Sequence, residues 1–263
     1  MMERFAAPSG SSIAFDVVGA GRPVLALHGV GGGAYFFRGF AQRVASRQRI
    51  FAVDLPGTGR SQAAPGAMAL ETWTADLGAL VAAAIGEPVA IIGHSLGTIL
   101  ALEAWAAWPS HVNRLVFVGG LPEARPLIRE RLGARREALR GTTSLAGWGE
   151  KVSPGNFSPV TFARRPEVVG LFERAFEMQS VESYDRSLEI LLRASAAAIV
   201  PSVTVPCLSV SGADDQYAPP DLISAFLDAL PTPADRHVWP DVGHLPFFEV
   251  PEKFARVVGE FLD

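Results

Sequence analysis

Short apolar runs, each stopped by glycine or a polar residue, punctuate this chain. Residues 24–27 stop at His28-Gly29, 50–53 at Asp54, and 89–92 at Gly93. Residues 115–118 stop at Gly119-Gly120, and 208–210 at Ser211-Gly212. Each has the length of a strand buried on both faces, as a parallel sheet requires. Helix-compatible stretches lie between them, at 35–46 and 70–85. In the second, Leu70, Trp73, Leu77, Leu80, Val81 and Ala84 recur at three- and four-residue steps and form an apolar stripe. Alternating strands and helices predict an α/β layer with right-handed crossovers. Near the start, 4–7 and 13–18 flank Pro8-Ser9-Gly10-Ser11, the pattern of an antiparallel hairpin at a sheet edge.

The alternation breaks between 121 and 180. The chain there is rich in arginine, then in Gly, Ser and Pro, and turns helical again over 166–179. Pro166-Glu167 suits a helix start, with a fixed φ and an acid at the positive dipole end. The expectation is a mostly helical insertion over the strand ends. Residues 181–198 are expected to form another helix against the sheet, so that 1–120 and 181–263 make one core around an insertion at 121–180. Repeats and low-complexity tracts are lacking.

Composition narrows the function classes. The 263 residues are 49% hydrophobic and 19% charged, with 23 Lys plus Arg against 27 Asp plus Glu. A net charge of −4 lacks the basic footprint of a protein that grips a phosphate backbone, so no nucleic-acid partner is expected. One cysteine, Cys207, permits neither an internal disulfide nor a cysteine-cluster metal site. A cytoplasmic setting is the expectation, and residues 1–20 carry no apolar core of signal-peptide length. Residues 89–108 are long and apolar but include His94, Ser95 and Glu103. That polarity predicts a buried strand, a sharp turn and a buried helix rather than a membrane span.

The turn carries the chemistry. Gly93-His94-Ser95-Leu96-Gly97 follows a strand candidate and precedes a helix candidate at 98–108. A serine on a tight strand-to-helix turn projects its hydroxyl from the sheet, and flanking glycines relieve the crowding; the alternative is a helix-capping serine. Such a hydroxyl needs a base, and the base an orienting acid. His244 follows the strand candidate 236–239, and Asp214-Asp215 follow 208–210. Asp54 is a further candidate orienter. His28 and His94 sit within glycine motifs and are expected to shape the site, whereas His111 and His237 lack motif context. The loop His28-Gly29-Val30-Gly31-Gly32 lets backbone approach a ligand closely, so the amides of Val30 and Leu96 are candidate oxyanion donors. A phosphate-cradling loop would instead need a Walker lysine or Gly-x-Gly-x-x-Gly spacing, and neither is present. No cofactor or metal is required.

Together these segments resemble the α/β-hydrolase superfamily over nearly the whole chain. Asp54-Leu55-Pro56-Gly57-Thr58-Gly59-Arg60-Ser61 is similar to that family's acid–glycine turn. Gly212 to Pro219 is similar to its acid loop, whose third residue after the glycine is the triad acid; the resemblance therefore implies Asp215. Gly243-His244 with Glu249, Pro251 and Phe254 resembles its final loop and last helix. It implies a mostly parallel twisted sheet with flanking helices, and a helical lid at 121–180. Haloalkane dehalogenases and epoxide hydrolases of this type place aspartate at the elbow, whereas serine suits attack on a carbonyl. Residues 145–184, above all Arg165-Pro166-Glu167-Val168-Val169, are similar to bacterial enol-lactonases, although His94 and Thr98 depart from that subfamily's elbow. The implied activity is hydrolysis of a small-molecule ester or lactone by Ser95, His244 and Asp215. Alternatives are carbon–carbon bond hydrolysis, cofactor-free perhydrolysis of the haloperoxidase kind, and a ligand receptor on the hydrolase fold. Within the lid, arginines at 125, 129, 131, 135, 136 and 140 either form a solvated face or include one that clamps a substrate carboxylate. Trp148, Phe157, Phe162, Phe172 and Phe176 either line an acyl pocket or form lid core.

Overall fold

The computed structural model describes all 263 residues. Eight strands form one sheet: β1 (Met2–Ala6), β2 (Ser12–Gly19), β3 (Arg22–Leu27), β4 (Gln48–Val53), β5 (Val89–His94), β6 (Val112–Val118), β7 (Cys207–Gly212) and β8 (Asp235–Trp239). Their order is β1-β2-β4-β3-β5-β6-β7-β8. The expected edge hairpin is β1–β2, antiparallel to each other, and β2 also pairs antiparallel with β4. The remaining pairs are parallel. Each apolar run lies within a strand, and β5 and β7 are buried along their whole length. Helices cover both faces, which is why these runs are apolar at consecutive rather than alternate positions.

Strand order places the site. The chain leaves β3 for β4 on one side, then returns to lay β5 on the other, with Leu27 opposite Gly93. The carboxyl ends of β3 and β5 therefore sit side by side at a reversal of winding direction, where open α/β sheets leave a crevice. Their following loops, at His28–Gly33 and at Ser95, become neighbours.

Between β6 and β7 the chain builds five helices: Pro126–Ala138, Gly149–Asn156, Pro159–Arg164, Pro166–Glu177 and Val181–Arg193. Three open on proline, whose missing amide hydrogen costs nothing in a first turn. Helix Val181–Arg193 differs from expectation: it packs along Pro126–Ala138 rather than on the sheet. Arg136 grips both Asp185 (2.8 Å) and Glu189 (3.0 Å) across that seam. Its apolar stripe announced a buried face, but periodicity does not say which surface covers it.

A buried carboxylate joins this insertion to the end of the core. Glu249, 5% exposed, accepts from Gly243 N at 2.8 Å, Ser158 N at 2.9 Å and Thr161 Oγ1 at 2.7 Å. Nearby, His244 N donates to the Asn156 carbonyl at 2.9 Å. Arg165 adds Nη1 donors to the carbonyls of Phe248 and Glu249. Replacing Glu249 by Gln puts an NH2 group where donors converge and leaves at least one of them unsatisfied. The expected loss is about 1–3 kcal/mol in urea unfolding; a variant as stable as the wild type would contradict this account of the joint.

Candidate active site

Ser95 stands between β5 and helix Leu96–Ala107 with φ 54° and ψ −115°. Apart from Asp241, it is the one non-glycine residue with positive φ, a strained conformation that turns the chain sharply. Its side chain makes no capping bond, against the alternative of a capping serine. The flanking glycines answer to space: a Cβ on Gly93 would overlap the Gly97 carbonyl, and one on Gly97 would overlap that of Leu27. Leu96 opens the helix, so its amide has no intrahelical acceptor.

The loop that carries His244 follows β8. His244 Nδ1 lies 2.8 Å from Asp215 Oδ2. Asp215 Oδ1 in turn accepts from Tyr217 N at 2.8 Å and Ala218 N at 2.9 Å. A carboxylate oxygen accepts, so Nδ1 carries the hydrogen and Nε2 keeps a lone pair. Of the two adjacent aspartates, Asp215 is buried and meets His244, while Asp214 faces solvent. Asp54 is engaged elsewhere: it accepts from Ala34 N at 2.7 Å, and from Arg60 N and Nε at 3.2 and 2.6 Å. It pins the end of the glycine loop after β3.

Val30, Ser95 and His244 line one cavity of about 750 Å³ including its mouth. A Cβ on Gly29 would lie 2.8 Å from that of Ser95, so the glycine loop crosses directly beside the serine. Opposite, the insertion supplies Ile128, Leu132, Phe172, Phe176 and Tyr184, with Asn156 near the His244 loop. Of the five aromatic residues singled out from the sequence, Phe172 and Phe176 reach the cavity. Trp148 and Phe157 are buried core, and Phe162 packs against that core. Arg135, Tyr184 and Tyr217 also line the cavity; Tyr217 follows Asp215 by two residues and lies 4.9 Å, ring to ring, from His244. Aromatic spacing carries no signal for such a role.

His28 and His94 hold the loops. Leu55 N donates to His28 Nε2 at 3.1 Å, so Nδ1 is the protonated nitrogen and donates to the Gly29 carbonyl at 2.7 Å. His94 Nε2 donates to the His244 carbonyl at 3.0 Å, while its Nδ1 is buried without a partner. Burial lowers the pKa of both rings, and the neighbouring His244 pushes that of His94 further down. His111 and His237 lie outside the cavity. Burial pushes the Cys207 thiol up to about 12, which removes it as a nucleophile. No group of three His, Cys, Asp or Glu residues is arranged to hold a metal ion, and no helix is long and apolar enough to cross a membrane.

A sequence model described as alpha/beta hydrolase fold matches residues 22–251. The chain belongs to the α/β-hydrolase fold family. Among relatives, it is 27% identical over 266 residues to the pimeloyl-[acyl-carrier protein] methyl ester esterase of Methylococcus capsulatus, covering 94% of this chain and 97% of that protein. It is 27% identical over 265 residues to the 2-hydroxy-6-oxo-2,4-heptadienoate hydrolase of Pseudomonas putida, covering 93% and 90%. A match to RutD of Azorhizobium caulinodans, 32% identical over 125 residues, spans 48% of this chain and about half, 47%, of that protein. Against polyketide synthase ThaQ of Burkholderia thailandensis the chain aligns over 97% of its length, which is 12% of the synthase. Solved structures share this fold. A thermophilic esterase from Thermogutta terrifontis superposes with TM-score 0.89 at 24% identity, covering 100% of this chain and 98% of that one. The enol-lactonase from Burkholderia xenovorans gives 0.87 at 19%, covering 99% of each.

The buried histidines predict how this protein loses stability in acid. Their folded pKa lies below the unfolded value, so the unfolded chain binds more protons as pH falls through about 6.5. Stability is therefore full above that pH and declines below it, by at most about 1.4 kcal/mol per pH unit for each ring. His94→Gln, which still offers a donor to the His244 carbonyl, is expected to make the decline shallower in urea titrations between pH 7.5 and 5. An unchanged slope would remove His94 from the explanation.

Proposed function

We propose that this hydrolase cleaves small carboxylic esters or lactones through an acyl-enzyme formed on Ser95. The supporting observation is that an uncapped Ser95, turned out by left-handed backbone, opens to the same cavity as a His244 held by Asp215. In this reading Ser95 Oγ attacks the carbonyl carbon while His244 Nε2 takes its proton. The Val30 and Leu96 amides donate to the tetrahedral oxyanion, each worth roughly 3–4 kcal/mol in comparable sites. Collapse breaks the acyl C–O bond, and His244 returns the proton to the leaving alcohol. A water activated by the same nitrogen then releases the acid and frees Ser95. Asp215 fixes the tautomer throughout and stabilises the imidazolium.

Core residues 1–120 and 194–263 carry this machinery, and residues 121–180 act as a lid that keeps bulk water from the acyl-enzyme. Helix Val181–Arg193 joins the lid through its packing on Pro126–Ala138. The setting is the cytoplasm, which suits a single, buried, reduced thiol. A second reading, carbon–carbon bond hydrolysis, draws on the likeness to the Pseudomonas putida hydrolase, because one nucleophile–base pair serves both cleavages.

The deciding assay uses p-nitrophenyl acetate, butyrate and octanoate. We expect turnover, faster on the two short esters, and a loss of roughly a thousandfold or more in kcat for Ser95→Ala. Full turnover by that variant would sink the serine mechanism. Inert esters together with cleavage of a vinylogous diketone would move the assignment to the second reading.

A further inference from the structure

The six arginines between residues 125 and 140 meet different partners. Arg125 and Arg140 pair with Glu123 and Glu137 on the surface. Arg136 grips Asp185 and Glu189, and Arg129 donates to the carbonyls of Ala124 and Leu192. Arg131 lies over the Tyr217 ring and reaches Gln216. Arg135 lines the cavity and has no carboxylate partner. Its Nη1 donates to the Tyr184 hydroxyl at 3.4 Å and its Nη2 to the Tyr217 hydroxyl at 3.1 Å. A guanidinium has five donors and keeps its proton, so these two phenols leave its charge unpaired and part of its donor fork free.

A cation half-buried among apolar side chains is costly unless something answers its charge. Glu123, the cavity's one carboxylate besides, is already taken by the Ser195 hydroxyl at 2.7 Å and by Arg125. Ile128, Leu132 and Arg135 follow at steps of four and three, so one helix face presents two apolar side chains and then a cation. Tyr184, Leu188 and Leu191 present the matching face of the partner helix, with Tyr184 level with Arg135. Tyr217 links this cation to the base: Arg135 Cζ lies 5.9 Å from its ring centre, and that ring lies 4.9 Å from the His244 imidazole.

We propose that Arg135 is the carboxylate-recognition residue of this cavity, and that the preferred substrates are esters or lactones whose acyl chain ends in a second, free carboxylate. The inference rests on the ester-hydrolase reading and names its substrate class. The short span through Tyr217 calls for a few methylenes between the two carbonyl carbons, lying along Leu132 and Leu188. Hydrolysis then adds water across the acyl C–O bond: an ester releases a dicarboxylic acid and an alcohol, and a lactone opens to a single hydroxy dicarboxylic acid.

Mono-p-nitrophenyl glutarate and the neutral p-nitrophenyl pentanoate, compared in kcat/KM, form the test. The wild type is expected to favour the glutarate ester. Arg135→Gln should shrink that preference by roughly ten- to a hundredfold, chiefly through KM, and Arg135→Lys should restore part of it. No preference in the wild type, or equal losses on both esters in a variant that melts normally, would overturn the proposal. Where neither ester turns over, the hydrolase reading fails by itself and calorimetry with glutarate decides this one. Glutarate bound by the Ser95→Ala protein and released by adding Arg135→Gln upholds it; glutarate left unbound overturns it.

Discussion

Two parallel strands that end side by side must send their chains away through one narrow space, and that crowding governs the molecule's working end. Because Leu27 lies opposite Gly93, the chain leaving β3 and the chain leaving β5 turn within a residue of each other. No Cβ fits at Gly93 or Gly97, and Ser95, midway between them, is forced into left-handed backbone. The outcome is a serine held away from its own helix and a glycine loop pressed against it. A close-packed interior transmits such constraints instead of absorbing them. Asp54 and His28 accordingly spend their buried hydrogen bonds holding the loop after β3 where the turn leaves room.

Three histidines beside the cavity illustrate how surroundings assign roles to one side chain. His28 and His94 are sealed from water, kept neutral by burial, and used as directional struts between backbone segments. His244 has its Nδ1 committed to a carboxylate and its other nitrogen facing the cavity. The two struts hold His244 and the glycine loop beside the serine without adding charge.

Much of this could be read from the chain. The apolar runs located the inner strands because burial on both faces leaves no room for alternation, and the Gly-His-Ser-Leu-Gly stretch located the turn because only glycine tolerates that approach. Of two adjacent aspartates, the resemblance pointed to Asp215, and the fold buries Asp215 beside His244 and exposes Asp214. Other features were invisible for a common reason. The partner of helix Val181–Arg193, the donors converging on Glu249 and the phenols that meet Arg135 in place of a carboxylate depend on contacts between segments far apart in sequence. A helical stripe records that a face is covered, and an arginine cluster records charge. Neither encodes the rotation that turns one arginine inward and five toward partners.

Two kinds of seam hold the insertion, one to the core and one between its own helices. On the side of residues 156–165, hydrogen bonds to Glu249 and the His244 loop are shut away from water. Dissolved ions reach them poorly. On the other side, helices Pro126–Ala138 and Val181–Arg193 are stitched by ion pairs whose side chains, such as Arg136 and Asp185 at 33% and 35% exposure, stand partly in solvent. Such pairs weaken as electrolyte screens them. Ionic strength thus acts on one seam and spares the other: in concentrated salt the two helices of the arginine-rich side loosen from each other, while the side that carries His244 stays fixed.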